Sequence, residues 1–392
     1  MYPQVMVAGY VCLDVIPTFD GRKDSLEPLF QPGKLLAVGT AVTAAGGAVS
    51  NTGLALHRLG IPVKLVGKVG NDLFGQELLK QYRQYNEALA AGMIVSVEEA
   101  TSYTIVISPP GIDRFFLHCT GANNSFRASD VDFDETSSAA IFHFGYPPLM
   151  RSMYQDEGTE LVLLFQRAKA ANLTTSLDMS IPDPNSEGAR VDWMAVLRRV
   201  LPHVDIFLPS LDEVLFMLDE PSTQSGKVSN KNSGAFLNQA AGQLLDMGAT
   251  VVVIKIGDQG LYMRTTADKN RLLAMGAAAP REAGQWQGRE LLSPSFQANV
   301  VGTTGAGDCA IAGFLAGLLK GISVEEVLTA ATAVGACNVE GSDATSTVPD
   351  WSTLQARIQA GWTQYDPKLS LVGWQQNKLI WTGPDDQKTR RI

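Results

Sequence analysis

Residues 302–319 read GTTGAGDCAIAGFLAGLL, a glycine-rich turn that runs directly into an apolar helix. Gly305 and Gly307 let successive backbone N–H groups turn toward one point, and the helix start behind them adds about half a unit of positive charge. A carboxylate here, Asp308, can accept a proton from an attacking hydroxyl while the amides of Gly305, Ala306 and Gly307 stabilise a transferring phosphoryl group. The alternative is that Asp308 only caps the helix after a glycine turn.

A second glycine-rich segment lies near the N-terminus, where residues 44–60 read AAGGAVSNTGLALHRLG and residues 66–75 read VGKVGNDLFG. In order and separation, these motifs and the GAGD loop resemble the ribokinase-like carbohydrate kinases of the PfkB family. The strand that ends in an aspartate at 5–14 and the segment 101–126 resemble that family as well, and the resemblance extends to about residue 349. It implies that the Gly-Gly…Asn segment binds a sugar and that Asp308 is the catalytic base.

The resemblance implies four sugar-binding residues: Asp14, Gly46, Gly47 and Asn51. Short polar side chains and bare backbone suit a polyol, because each hydroxyl needs a directed partner and the sugar ring must approach the main chain closely. A helix cap is the alternative role for Asn51, and turn stabilisation is the alternative for Asp14. Ribokinases themselves have an asparagine and a lysine where this chain has Cys12 and Ala48, so ribose is not singled out.

Residues 251–263 read VVVIKIGDQGLYM, a pattern of strand, glycine turn and strand. In the family that the chain resembles, this element lies beside the phosphates and base of ATP, which implies nucleotide contacts from Lys255, Gly257 and Gly260. An ordinary strand residue is the alternative for Lys255. The same resemblance places the helix 327–339 against the adenine, with Asn338 as a candidate contact. The chain contains no GxxxxGK[ST] sequence, which excludes an ordinary P-loop.

The segment 208–213 reads LPSLDE and stands where the family has an Asn-x-x-Glu element that orders magnesium and phosphate through water. Ser210 replaces the asparagine, and Glu213 remains. Magnesium prefers oxygen ligands and keeps several waters, so this pair can still do that work. The alternative for Glu213 is an exposed glutamate favoured by the helix dipole. The expected cofactors are therefore ATP and Mg²⁺.

The composition indicates a soluble globular chain of 392 residues with a net charge of −9 and a pI near 5.0. This charge argues against a nucleic-acid partner, which needs a basic face. No apolar run approaches the ~20 residues that span a bilayer, and the start lacks the basic region of a signal peptide, so we expect no membrane partner and a cytoplasmic location. Four scattered cysteines predict reduced thiols. Four histidines stand at no metal-ligand spacing and are expected to be packing or surface residues, and among them His118, on the predicted lid strand, has the best chance of touching the substrate. We expect a small-molecule sugar or nucleoside as the substrate and a homodimer as the candidate assembly.

Apolar runs alternate with helical patterns along the chain. The runs predict buried strands at 5–8, 140–144, 174–177, 206–208 and 251–256, and the spacing between them predicts helices at 51–59, 160–171, 193–200, 212–218 and 238–247. Strands alternating with helices predict a parallel sheet covered on both faces, with the ligand at the carboxyl ends of the strands.

The predicted fold class is α/β. With the family resemblance, it becomes a ribokinase-like three-layer sandwich with a mostly parallel central sheet and a small β lid. The kinase domain is placed at 1–364, with lid segments at about 13–38 and 101–122. Residues 265–299 show little periodicity and predict a surface insertion. Residues 365–392 form a C-terminal extension, which we expect to pack as an edge element with a frayed end.

These features favour an ATP-dependent sugar kinase that transfers the γ-phosphoryl group to a hydroxymethyl group of a small carbohydrate, with Asp308 as the base. The alternatives are a nucleoside kinase of the same family and a sugar-sensing protein that has lost turnover, although the intact GAGD and Gly-Gly…Asn motifs argue against the latter. A Rossmann dehydrogenase is excluded because residues 7–14 lack GxGxxG. Relatives activated by a monovalent cation have an aspartate at the position of Gly302, so we expect little dependence on potassium.

Overall fold

The computed structural model describes residues 4–19, 32–33, 35–110, 115–133, 139–218 and 233–387. Its strands are β1 (Gln4–Gly9), β2 (Cys12–Pro17), β3 (Ala41–Gly46), β4 (Val63–Gly70), β5 (Met93–Ser96), β6 (Tyr103–Ile107), β7 (Phe115–Cys119), β8 (Ala139–Gly145), β9 (Thr174–Asp178), β10 (Ile206–Phe207), β11 (Val251–Lys255), β12 (Leu261–Thr265), β13 (Glu290–Ser293), β14 (Gln375–Asn377) and β15 (Ile380–Thr382). Its helices are α1 (Gly47–Arg58), α2 (Leu73–Tyr85), α3 (Arg151–Ala170), α4 (Trp193–Val200), α5 (Leu211–Leu218), α6 (Gly234–Asp246), α7 (Lys269–Leu273), α8 (Ala283–Trp286), α9 (Ala306–Lys320), α10 (Val324–Asn338) and α11 (Trp351–Gln359).

A large sheet forms the centre of the described part of the chain, with the strand order β14-β15-β13-β12-β11-β10-β9-β8-β1-β4-β5. The strands from β11 to β5 in this order are parallel, and those from β12 to β14 are antiparallel. All five apolar runs of the sequence are strands of this sheet, as predicted. Parallel order brings the carboxyl ends of β8, β9 and β11 to one edge, where ligands bind in open α/β sheets.

Helices cover both faces of the sheet. One apolar layer joins α1, α9 and α10 to the sheet through residues such as Leu54, Phe314 and Val334. The other joins α3, α4 and α6 to it through Phe165, Leu197 and Leu244. This arrangement is a three-layer sandwich, which confirms the predicted fold class. No helix of the described residues is both long and apolar enough to cross a membrane.

A smaller sheet with the order β3-β2-β6-β7 stands apart from the large one. Strand β2 pairs antiparallel with β3 and parallel with β6, and β6 pairs antiparallel with β7. It corresponds to the predicted lid, although β3 begins at Ala41, beyond the predicted boundary at 38. Residues 20–31 and 34 of the first predicted lid segment and residues 111–114 of the second lie outside the described residues.

The segment 265–299 differs from the predicted surface insertion. It contributes β13 to the large sheet and buries Trp286 in the core. Most of its buried apolar residues face one core layer, but their spacing is too irregular to show as a helix or strand pattern in the sequence. The C-terminal extension continues this edge, with β15 paired to β13. A buried ion pair joins the two segments, since Arg289 Nε donates to Asp386 Oδ2 at 2.8 Å. The extension thus packs at the sheet edge as expected, and its predicted frayed end at 388–392 lies outside the described residues.

Candidate active site

Asp308 lies in the first turn of α9, directly behind a left-handed glycine. Gly305 has φ 75°, and a Cβ there would stand 2.8 Å from the Cβ of Ala344, so only glycine fits this turn. The first N–H groups of an α-helix have no intrahelical acceptor, and Gly307 and Asp308 provide two of them. The amide of Ala306 contacts the carbonyl of Thr303 at 3.4 Å. The loop therefore presents main-chain donors and a positive helix end beside a carboxylate.

The Asp308 carboxylate is 3% exposed and receives several hydrogen bonds. Asn51 Nδ2 donates to Oδ2 at 3.0 Å, and Thr52 Oγ1 donates to Oδ1 at 3.4 Å, both from α1. The hydroxyl of Tyr146 donates to Oδ2 at 2.8 Å and lies 3.0 Å from Oδ1. Burial raises the pKa of Asp308, while Lys255 and the donors Asn51 and Tyr146 act to lower it. The structure thus joins the two motifs that lie 257 residues apart in the chain.

Lys255 ends β11 and forms a buried ion pair with Asp178, which ends β9. A Cβ on Gly307 would lie 3.8 Å from Lys255 Nζ, so the ammonium group flanks the anion-binding turn. Burial alone would lower the pKa of Lys255, but Asp178, Glu213 and Asp308 outweigh it and raise the pKa. Lys255 therefore ends a strand and also places a cation next to the loop, and its contact with the nucleotide stays a prediction.

Glu213 is 9% exposed and not the exposed helix-start residue considered as an alternative. Its Oε2 accepts from the amide of Ser210 at 2.6 Å, and its own amide donates to Ser210 Oγ at 3.2 Å, which is a reciprocal cap at the start of α5. Among the described residues no group of three or more histidine, cysteine or acidic side chains could by itself hold a metal ion. Any magnesium here therefore needs water and phosphate oxygens as further ligands.

The residues expected to bind the sugar lie on the small sheet and on α1: Asp14 is in β2, Gly46 ends β3, and Gly47 and Asn51 are in the first turns of α1. Gly47 has φ 85°, and a Cβ there would stand 2.7 Å from the Tyr10 carbonyl, while one on Gly46 would stand 2.5 Å from Asp14 Oδ2. Only glycine therefore fits at these two positions, because the Tyr10 carbonyl and the Asp14 carboxylate come too close for a side chain. Burial raises the pKa of Asp14 to about 6. Asn51 Oδ1 is buried without a hydrogen-bond partner in the structure, so it can accept from a ligand hydroxyl.

Comparison with known proteins decides the family. A profile of the pfkB family of carbohydrate kinases matches residues 3–351. The chain belongs to this family. The predicted family, and with it the predicted phosphotransferase class, is confirmed.

Individual relatives are distant from this kinase. It is 24% identical over 273 residues to an uncharacterized sugar kinase of Archaeoglobus fulgidus, a match that covers 70% of this chain and 89% of the relative. It is 25% identical over 370 residues to fructokinase-2 of Zea mays, which covers 90% and 93% of the two chains. The structure of Arabidopsis thaliana ribokinase complexed with ribose and ATP aligns with a TM-score of 0.67 at 19% identity, covering 92% of this kinase and 99% of that chain. This likeness confirms the fold.

The expected nucleotide residues of the kinase lie in different surroundings. Gly257 has φ 58° and nothing within 4 Å of where a Cβ would stand, so its turn is open to a ligand. Gly260 has φ 98° and packs against the backbone of Ser293, which is a structural requirement. Asn338 is fully buried and donates to the Ala344 carbonyl at 2.6 Å. This bond supports the loop that packs against Gly305. The Oδ1 of Asn338 is buried without a hydrogen-bond partner in the described structure, and the adenine contact stays a prediction.

Three residues of the site were missed by the sequence prediction: Thr52, Tyr146 and Asp178. Asp178 follows a predicted strand, as Asp14 does, and the rule that polar residues at strand ends meet at one sheet edge could have found it. Tyr146 precedes Pro147 and Pro148 and carries only a turn signal. His118 was expected to have a packing or surface role. It lies on β7, where Nε2 stands 2.8 Å from the hydroxyl of Tyr10.

Proposed function

We propose that this kinase transfers the γ-phosphoryl group of ATP to a hydroxymethyl group of a small sugar, with Asp308 as the general base. The observation that carries the proposal is the position of one buried carboxylate. It lies within the anion-binding first turn of α9 and accepts a hydrogen bond from Asn51 of the Gly-Gly…Asn helix. A base placed between a phosphate loop and a sugar segment is the arrangement that phosphoryl transfer to a hydroxyl requires.

Each residue has a separate task in this proposal. Asp308 accepts the proton of the sugar hydroxyl as the hydroxyl oxygen attacks the γ-phosphorus of ATP, and the bond from that phosphorus to the bridging oxygen breaks so that ADP leaves. The free amides at the start of α9 and the ammonium group of Lys255 stabilise the charge on the transferring group. The unpartnered Oδ1 of Asn51 accepts from a sugar hydroxyl, as does the carboxylate of Asp14. Gly257 lies on the open turn beside which the nucleotide passes.

The described residues fit a magnesium ion held partly by water. Asp178 forms an ion pair with Lys255, and Glu213 accepts from the amide of Ser210, which is bridged to Lys255 in the sheet, so the two carboxylates flank the same lysine. Magnesium takes one or two carboxylates together with phosphate oxygens and waters, so Asp178 and Glu213 would hold it. When bound, the ion neutralises charge on the phosphates of ATP.

The experiment is a coupled ADP-release assay with MgATP and a panel of D-fructose, D-ribose and inosine. We expect acceptor-dependent ADP release with at least one sugar and its loss in Asp308→Asn. Release with inosine alone would favour the nucleoside kinase. Thermal stabilisation by a sugar with no ADP release from any acceptor would contradict the proposal and favour the sugar-sensing alternative.

A further inference from the structure

Tyr146 makes the shortest hydrogen bond to Asp308 in the described structure and has no role in the proposal above. Its hydroxyl stands 2.8 Å from Oδ2 and 3.0 Å from Oδ1, and its one proton is donated to one of these two oxygens at a time. A phenol that bridges a carboxylate in this way fixes the rotation of the group as well as its position.

The backbone directs this side chain into the site. Tyr146 follows β8 in the left-handed conformation, with φ 66°, which is uncommon for a residue other than glycine. Its amide contacts the Asp178 carbonyl at 3.4 Å, and Pro147 follows it. Strained backbone of this kind is retained at functional sites. The ring lies 6.2 Å from the ring of Tyr10, on the side of the small sheet.

The hydrogen bonds to Asp308 leave space for one more donor. An ionised carboxylate offers about four lone-pair sites. Asn51, Thr52 and Tyr146 each supply one donor from the protein. One acceptor position therefore remains for the hydroxyl of a substrate, and Tyr146 does not have to move.

Charged groups reach Asp308 from several elements. Lys255 of β11 favours the ionised form, whereas Glu213 of α5 and Asp178 of β9 disfavour it, as does burial. The adjacent Cys309 stays a neutral thiol, because burial raises its pKa far above the ordinary range. The pKa of Tyr146 is likewise raised by burial and by Asp308, so the phenol remains a donor. The hydrogen bond from Tyr146 thus opposes two carboxylates and desolvation.

We propose that Tyr146 is a positioning residue for the catalytic base: its O–H group keeps the Asp308 carboxylate ionised and turned so that one lone pair is left for the acceptor hydroxyl. This inference rests on the proposed function, since it requires Asp308 to be the base. It predicts that losing the O–H raises the pH at which the base becomes protonated.

The test compares pH profiles of kcat/KM for the acceptor in the wild type, Tyr146→Phe and Tyr82→Phe, with MgATP and whichever of D-fructose, D-ribose or inosine turns over fastest. Tyr82 is the matched control, being fully buried with its hydroxyl on Ser50 Oγ at 2.7 Å. In Tyr146→Phe we expect the acid limb, where kcat/KM falls as the base is protonated, to move up by about one pH unit. At pH values below the wild-type limb kcat/KM should then fall about tenfold, with the acceptor KM nearly unchanged. Tyr82→Phe should keep the wild-type limb.

A second variant keeps the shape of the side chain. Tyr146→3-fluorotyrosine makes the phenol a stronger donor, so its acid limb should move to lower pH, which a purely structural effect would not produce. If the acid limbs of the wild type, Tyr146→Phe and Tyr146→3-fluorotyrosine coincide while the wild type phosphorylates an acceptor, this inference is overturned and the proposed function is not. Absence of acceptor-dependent ADP release by the wild type would overturn the proposed function and this inference with it.

Discussion

Replacing Lys255 with methionine should leave a buried carboxylate without its counter-charge. The side chain of Lys255 is 12% exposed and that of its partner Asp178 is 1% exposed, so water cannot replace the lost cation. Removing one partner of a buried ion pair costs about 3–5 kcal/mol, and we expect the free energy of unfolding to fall by that amount at pH 7. The loss should shrink as the pH falls, because protonation of Asp178 removes its uncompensated charge.

The same variant should weaken nucleotide binding, since the ammonium group flanks Gly307 in the phosphate loop. A hydrogen bond to a charged group contributes about 1.5–3 kcal/mol, which corresponds to about a 10- to 100-fold rise in the KM for MgATP. Urea unfolding and initial rates of ADP release measure the two effects. Lys169→Met is the matched control. Lys169 Nζ pairs with Asp205 at 2.9 Å, and Asp205 directly precedes β10, so this ion pair lies at the amino ends of the strands, away from the site. Equal MgATP KM values for the two variants would refute the role given to Lys255.

Three further outcomes follow from single residues. Asn51→Ala should raise the KM for the sugar and also lower kcat, since its side chain carries both a free Oδ1 and a bond to Asp308; steady-state rates that change neither would contradict this. Asp14→Asn should raise the melting temperature at pH 7 but not at pH 4. Burial raises the pKa of Asp14 to about 6, so the destabilisation caused by its buried charge grows as the pH rises toward and through that value. Equal melting temperatures of variant and wild type at pH 7 would show that the charge does not destabilise the fold. Turnover should be similar in potassium chloride and in tetramethylammonium chloride of equal ionic strength, because Gly302 supplies no carboxylate and a Cβ there would stand 2.9 Å from the Gly341 carbonyl; many-fold activation by potassium would contradict this.

Strand and helix positions followed closely from periodicity. The apolar runs at 5–8 and 251–256 are β1 and β11, and the helical pattern at 193–200 is α4. Such patterns are informative when a strand is buried on both faces, as it is in a parallel sheet. In the antiparallel part of the sheet, the pattern at 251–263 predicted β12 and the extension was expected at the edge, but β13, β14 and β15 were not located. Strand β13 has four residues and the hairpin strands β14 and β15 have three each, which is too short for a period to be recognised.

Site residues were predictable where the backbone conformation requires a particular residue type, because that requirement produces a recognisable sequence motif. Gly305 and Gly47 have positive φ and crowded surroundings, so their sequence signal has a physical origin. Asp178 carries a weaker signal, its position at the end of a predicted strand, whereas Tyr146 reaches the site through tertiary placement that its sequence neighbours do not indicate. Asn338 shows the opposite case: its position on the expected helix did not indicate that its Nδ2 donates, inside the core, to the loop that packs against Gly305.

The account depends most on Asp308 as the base. Asp308→Asn keeps the size of the side chain and an oxygen that can accept from Tyr146, but it cannot take up the proton of the sugar hydroxyl. We expect kcat to fall at least ~10²-fold, because the lost proton transfer acts only in the transition state. The dissociation constant for MgATP, measured by calorimetry, should stay within about threefold of the wild-type value, since the amides of the loop remain. A variant that binds MgATP normally and turns over at nearly the wild-type rate would contradict the assignment of Asp308.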